Sequence, residues 1–370
     1  MTFPVLSFFT GGGFFDLGFK QSGFAICWTN ENNPAFAEGY AHGMSAWLTS
    51  LNKKQTAKAA ISNTSSVCDL TARKVLNEAF DSPRPEVFGV IGGPPCPDFS
   101  NGGTHAGGNG INGKLTTTFV DMVCGIKPSF FVIENVPGLY RVHKHREFLG
   151  NKILQLQENG YAVDYKILNA LEFGVPQDRE RLFVVGFKRP LVQNALGRKL
   201  AADDREWFPW PEIENYKGAK SLPWPKVSPF GKEPSKPEDL PIELSVFPAL
   251  LGNGDPEIVA NGREYFNPYS DKFKQVKEGD VSRKSFKRLH RYRFSPTAWY
   301  GNQEVHLHPW KPRRLSVRET LRIQTVPDEY TLPEAMSLSA KFKMVCNGVP
   351  CVMAFNLASS VHRFLKRAVS

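Results

Sequence analysis

Short apolar runs punctuate the first half of the chain. They fall at Val5–Phe9, Phe24–Trp28, Val87–Ile91, Phe130–Ile133, Tyr165–Leu168 and Leu182–Phe187. Most lack the strict polar alternation of a half-exposed strand, which predicts strands covered on both faces. Helix-like stretches lie between several of them, among them Arg73–Phe80 and His145–Asn159. In the second, Phe148, Leu149, Ile153, Leu154 and Leu156 fall mainly on one face. This alternation predicts an α/β fold, a doubly wound and mostly parallel sheet with helices on both sides. Ligands of such sheets bind outside the carboxyl ends of the strands.

From about Lys188 to Pro312 the periodicity is lost, and proline and tryptophan cluster in Trp207–Pro229. A second, smaller and irregular lobe is expected here. Helical patterning returns at Ser316–Gln324, and Met353–Leu365 reads as an amphipathic closing helix. The expected division is therefore a core over residues 1–187, completed by 345–370, with 188–344 forming the second lobe and its return hinge. No internal repeat is visible.

Composition adds modestly to this picture. The 370 residues are 41% hydrophobic and 12% aromatic, enough for a packed core. No run in the sequence suggests a bilayer span, and the first residues lack the basic region of a signal peptide, so a cytoplasmic location is expected. Lys and Arg total 46 against 36 acidic residues, a net charge of +10 that favours polyanionic partners. The basic excess includes the run 283–293, Arg-Lys-Ser-Phe-Lys-Arg-Leu-His-Arg-Tyr-Arg. Interleaved aromatics suit contact with phosphates and bases, and a solvated face is an equal alternative. The six cysteines form no Cys-x-x-Cys pair and have no histidine at metal-ligand spacing, so no metal is expected.

The chemistry-bearing residues gather where strands should end. Phe9-Thr10-Gly11-Gly12-Gly13 follows the first run, and its glycines permit close backbone approach to a ligand. Glu31 follows the second run, at about the 20-residue spacing at which an acid meets a ribose hydroxyl in dinucleotide folds. Asp69 is expected at the end of a third strand, as an acceptor from an adenine amine. A tight turn with two surface carboxylates is the plainer alternative. Asp16 occupies the place of the third glycine of the dinucleotide fingerprint, which disfavours a hydride-transfer enzyme. Val87–Ile91 then runs into Gly92-Gly93-Pro94-Pro95-Cys96, a rigid turn that presents a thiol at a strand end. The glycine-rich stretch Asn101–Lys114 suits a lid, or equally an inert loop. Glu134 ends a buried strand and is a candidate for a raised pKa. Arg179 and Arg181, at alternate positions, are cations able to hold a carbonyl oxygen or phosphate.

In order along nearly the whole chain, these segments resemble the motifs of the DNA (cytosine-5)-methyltransferases. Pro95-Cys96 resembles the catalytic Pro-Cys, and Glu134-Asn135-Val136 the Glu-Asn-Val triplet. Gln177, Arg179 and Arg181 match Gln-x-Arg-x-Arg. Arg314–Glu319, with Arg322, Gln324, Pro327 and Asp328, resembles the motif that closes the recognition region, and Asn347-Gly348-Val349-Pro350 the final motif. The resemblance implies S-adenosylmethionine as cofactor, held around Phe9, Thr10, Gly11, Gly13, Glu31, Asp69, Pro95, Leu115, Asn347 and Val349. It implies catalysis by Cys96, Glu134, Arg179 and Arg181 on a cytosine rotated out of double-stranded DNA. It makes the second lobe a target recognition domain, with Ser100, Gln177, Arg288, Arg291, Arg293 and Thr297 near DNA. It further implies a monomer of a prokaryotic restriction-modification system, with a cognate endonuclease as a candidate partner and no membrane partner. Three positions depart from the family pattern: Phe14 for a glycine, Pro97 for a glutamine and Cys346 for a glycine. A tRNA cytosine-5 methyltransferase and a catalytically inactive DNA-binding homologue are the alternatives. The Cys-Phe-Thr signature of the first is absent from the sequence, and retention of Cys96, Glu134 and Arg181 speaks against the second.

Overall fold

The computed structural model describes residues 1–51, 58–95, 111–201, 204–252, 254–283, 285–297, 300 and 304–370. The six apolar runs form the six strands of one sheet. They are β1 (Pro4–Phe8), β2 (Ala25–Asn30), β3 (Gly89–Gly92), β4 (Phe130–Asn135), β5 (Tyr161–Asn169) and β6 (Glu180–Lys188), in spatial order β2-β1-β3-β4-β6-β5. The first four run parallel, whereas β6 is antiparallel to both β4 and β5. Among the described residues no third strand precedes Asp69. Ser66 caps a 3-10 turn over Val67–Asp69, accepting from the Cys68 N–H and leaving Asp69 exposed. A serine free to bond its own neighbouring backbone favours a turn over a strand end.

Twelve helices accompany the sheet among the described residues: α1 (Phe14–Gln21), α2 (Pro34–Leu51), α3 (Ala72–Ala79), α4 (Ile111–Ile126), α5 (Gly138–Arg141), α6 (His143–Glu158), α7 (Arg189–Leu196), α8 (Val246–Leu251), α9 (Lys272–Gln275), α10 (Val317–Ile323), α11 (Leu338–Asn347) and α12 (Cys351–Val369). Side chains alternate across the sheet as strand geometry requires. Val5, Ile91, Phe130, Val132, Phe183 and Val185 pack on one face, against α1, α7 and α12. Leu6, Val90, Phe131, Ile133, Leu182 and Val184 pack on the other, against α3, α4 and α6. The chain thus leaves β1 for one face through α1 and β3 for the other through α4. That divergence between neighbouring parallel strands opens a crevice at their carboxyl ends.

Residues 189–336 contribute no strand to the sheet among those described. Their first part nevertheless packs on it. Val192 and Ala195 of α7, with Trp207 and Phe208, join the α12 face, so the sheet's packing extends past the expected boundary at residue 187. A separate cluster joins α1 and α2, through Phe14, Phe36, Tyr40, Met44 and Trp47, to α10, α11 and Tyr330. On length and composition alone, Leu338–Val369 is apolar enough to cross a bilayer, which the sequence pattern did not suggest. It is broken between α11 and α12, and Met353, Leu357, Val361, Phe364 and Leu365 lie buried against the sheet. That packing accounts for the apolar stripe of α12.

Candidate active site

Strand register sets the site. Phe8 pairs with both Asn30 and Gly92, and Gly92 pairs with Ile133, so four parallel strands reach the same row. Phe9, Glu31, Gly93 and Glu134 are each the next residue along. Because β6 is antiparallel, its start returns to this edge, with Asn135 opposite Leu182 and Arg181 just before it. Residues far apart in sequence therefore meet along one sheet edge.

At the β1 end the backbone is unusual. Phe9 takes φ 53°, Gly11 52° and Gly13 72°. A side chain at Gly11 would be strained by that conformation but would meet nothing within 4 Å, so the turn faces open space. At Gly13 an added Cβ would lie 2.6 Å from the Tyr40 ring, which backs the turn. Buried Glu31 accepts from the Gly11 N–H at 2.9 Å and the Asn33 N–H at 2.8 Å. Burial pushes its carboxyl up, opposed by these N–H groups. Each carboxylate oxygen retains capacity to accept from a hydroxyl. Buried Thr10 Oγ1 has no partner among the described residues. A turn facing open space, an orphaned hydroxyl and a carboxylate acceptor together fit a ribose-bearing cofactor. Asp69 stands exposed, and Leu115, half-buried in α4, packs with the sheet-face cluster beside Phe9.

Phe14, the first departure from the family pattern, begins α1 and is buried in the cluster with Tyr40, Met44, Tyr330 and Met344. Its ring fills the space beside Gly348, where an added Cβ would lie 2.2 Å away. Asn347 is exposed at the end of α11 and Val349 is buried after it. This junction is held by a residue far away in sequence. The Nη2 of fully buried Arg179 donates to the carbonyls of Cys346 at 2.8 Å and Gly348 at 2.9 Å. Burial, then Arg181, lower the Arg179 guanidinium to about 9, still well above neutral. Because the Cys346 contact is made by its backbone, the glycine-to-cysteine departure leaves it intact.

The β3 and β4 ends hold the ionisable pair. Glu134 Oε1 meets Arg181 Nε at 2.7 Å, with both side chains almost fully enclosed. Burial raises the Glu134 carboxyl, and Arg181 and Arg179 oppose that shift. Gly93 passes so close that a Cβ there would lie 2.7 Å from Glu134 Oε2. The exposed Pro95 follows. Cys96, Pro97, Ser100 and the segment 101–110 lie outside the described residues, and Ile111 already belongs to α4.

The expected DNA residues divide into two groups. Gln177 pairs backbone to backbone with Ser295, and Thr297 Oγ1 donates to the Asp178 carbonyl at 2.6 Å, so Gln177 and Thr297 are brought together. Thr297 is exposed, whereas both amide atoms of Gln177 are buried and have no partner among the described residues. The basic run does not form one cationic face. Arg288 is 0% exposed, and its guanidinium donates to the carbonyls of Phe273, Val276, His308 and Lys311. Arg291 is buried against Glu278, Nε to Oε1 at 2.9 Å and Nη2 to Oε2 at 3.0 Å. Neither is placed to meet phosphates. Both charges are taken up inside the lobe, that of Arg288 by loop carbonyls and that of Arg291 by the Glu278 carboxylate. Arg283 is exposed and Arg293 half-buried.

Sequence reasoning missed the layer beneath the turn. Asp16 is buried, accepting from Ser7 Oγ at 2.6 Å and from the Tyr40 hydroxyl at 3.1 Å. Burial raises it to about 6. The sequence marked Asp16 only as standing where the dinucleotide fingerprint has its third glycine. Tyr40 and Tyr330 gave no signal in the sequence.

A doubly wound sheet with a glycine turn after β1, an acid after β2 and an enclosed glutamate–arginine pair joining the end of β4 to the start of β6 defines a methyltransferase of the Rossmann-like class. Comparison with known families is decisive at the next level. The chain belongs to the family described as C-5 cytosine-specific DNA methylase, which matches residues 3–363. It is 42% identical over 368 residues to the Type II methyltransferase M.NmeDI of Neisseria meningitidis serogroup C, covering 98% of this chain and 84% of the relative. It is 30% identical to the Type II methyltransferase M.FnuDI of Fusobacterium nucleatum, covering 98% and 94%. In fold it is similar to an E. coli prophage protein described as a DNA modification methyltransferase, with TM-score 0.64, 19% identity and coverage of 98% and 99%. The protein is thus an enzyme that methylates cytosine in DNA.

Proposed function

We propose that Cys96 attacks C6 of a cytosine rotated out of duplex DNA, and that S-adenosylmethionine is the methyl donor. The observation that carries this reading is the Glu134–Arg181 pair, against which the backbone of Gly93 is pressed on its way to Cys96. Three residues of chain span at most about 10 Å, so the thiol's tether is short.

Cytosine C5 is too weak a nucleophile to take a methyl group unaided. Thiolate addition at C6 makes C5 enamine-like. Glu134, whose burial favours the protonated form, donates to N3 as the adduct forms, so charge does not build up on the ring. Arg181 holds the O2 edge while its Nε stays on Glu134. Arg179 positions the Cys346–Gly348 backbone. Phe9, Thr10, Gly11, Gly13, Glu31 and Asp69 would hold the cofactor, with Pro95, Leu115, Asn347 and Val349 around it. When bound, it supplies an electrophilic methyl group. Loss of the C5 proton to a base then expels Cys96.

We assign target recognition to the irregular part of 188–344, leaving α7 to the core. To the target base and its flanks we assign Gln177, Thr297 and Ser100, and to phosphate contacts Arg283 and Arg293. The Type II names of the relatives support a restriction-modification role in a prokaryotic cytoplasm, with a cognate endonuclease acting on the same site. Bisulfite sequencing of DNA from a host expressing the protein tests the proposal. Protected cytosines in one short motif are expected, and none with Cys96→Ser. Equal protection by that variant would remove the thiol from the mechanism.

A further inference from the structure

The glycine turn is gripped from beneath by a residue that lies outside all the motifs singled out in the sequence. Tyr330 follows α10, and its hydroxyl lies 2.7 Å from the Gly12 carbonyl and 3.3 Å from the Gly39 carbonyl. The side chain is fully buried. Its ring occupies a slot cut into α2, where an added Cβ at Gly43 would lie 2.1 Å from the ring. Gly39 and Gly43 are four apart and so share a helix face. Phe14 closes the slot edge-on, with ring centroids 5.5 Å apart.

The residue is fixed from its own side as well. Buried Arg318 donates to the Tyr330 carbonyl at 2.9 Å and to that of Ala260 at 3.0 Å. Asn261 accepts from the Leu332 N–H at 2.8 Å. The contact therefore ties the turn after β1 to a segment 318 residues away, itself anchored on the irregular lobe.

We propose that Tyr330 is a positioning residue for the cofactor. By accepting a hydrogen bond from the Tyr330 hydroxyl, the Gly12 carbonyl is fixed between Gly11 and Gly13, both of which hold positive φ. Without it, a buried carbonyl loses its partner and the turn relaxes away from the shape in which Glu31 and the Gly11 N–H are joined. This inference rests on Phe9–Gly13 being the cofactor turn.

Tyr330→Phe removes the hydroxyl and keeps the ring. Tyr161→Phe is the matched control: its buried hydroxyl donates to the Pro128 carbonyl at 2.9 Å, at the far edge of the sheet. Titration calorimetry with S-adenosylmethionine should show Kd raised roughly three- to tenfold for Tyr330→Phe and unchanged for Tyr161→Phe. KM for DNA should stay as in the unaltered enzyme. Equal cofactor Kd in both variants would overturn the assignment, leaving Tyr330 a packing residue. Absence of binding by the unaltered protein would instead overturn the cofactor assignment. In the unaltered enzyme, saturating cofactor should also slow hydrogen exchange around Tyr330, and unchanged exchange there would contradict the contact's role.

Discussion

Gly93→Ala separates the packing of the site from its chemistry. The new methyl carbon would lie 2.7 Å from Glu134 Oε2, where ordinary contact begins near 3.4 Å. Something must therefore move by about 0.7 Å. The strand end is held by the sheet, so the carboxylate yields first. Its other oxygen, however, is engaged with Arg181 at 2.7 Å, and the shift breaks or skews that pair. Overpacking of this kind costs about 1–3 kcal/mol, a Tm drop of a few degrees. The catalytic loss should be larger in proportion. A displacement approaching 1 Å of a group that must meet the ring costs on the order of 10- to 100-fold in kcat. Cofactor affinity should be unchanged, because the Phe9–Gly13 turn is untouched. Single-turnover transfer of labelled methyl groups to DNA, alongside calorimetric cofactor binding, measures both. A folded Gly93→Ala enzyme with kcat within about twofold of the unaltered protein would refute the role given to the Glu134–Arg181 geometry.

Two further predictions concern the buried charges. Asp16 is raised by burial to about 6, so its contribution to stability is complete below its ordinary value of 3.8 and is lost as pH rises through about 6. Measured against Asp16→Asn, the unaltered protein should lose on the order of 3 kcal/mol between pH 4 and 8, and parallel stability curves would contradict this. Arg288→Ala should cost about 3 kcal/mol or more, by stranding the buried carbonyls of Phe273, Val276 and His308, without altering the salt dependence of DNA binding. Arg283→Ala with Arg293→Ala should flatten that dependence by about one to two units at little cost in stability, and the reverse pattern would place the buried arginines on DNA after all.

Much of this architecture was legible in the sequence because the strands are covered on both faces. Continuous apolar runs such as Phe130–Ile133 need no partner to be recognised, and the acid that follows them marks the strand end. The antiparallel insertion of β6 was not legible, since neither Leu182–Phe187 nor its flanks encode direction. The 3-10 turn at Asp69 escaped because Val67-Cys68 resembles a short strand until Ser66 is seen to cap it. The basic run misled for a different reason. A guanidinium turned inward and one turned outward read alike, and the carbonyls that capture Arg288 come from Phe273 and His308, on either side of it in sequence. The support beneath the glycine turn was equally hidden, because Tyr330 and Gly12 meet only through the completed fold.

The central claim is that the Cys96 sulfur bonds to the target base during turnover. DNA carrying 5-fluorocytosine within the recognised motif tests it most directly, because fluorine at C5 cannot leave as a proton does. Incubated with cofactor, the protein should form a denaturation-resistant complex whose cross-linked peptide, by mass spectrometry, contains Cys96. No complex on that DNA, or one formed equally by Cys96→Ser, would contradict the mechanism.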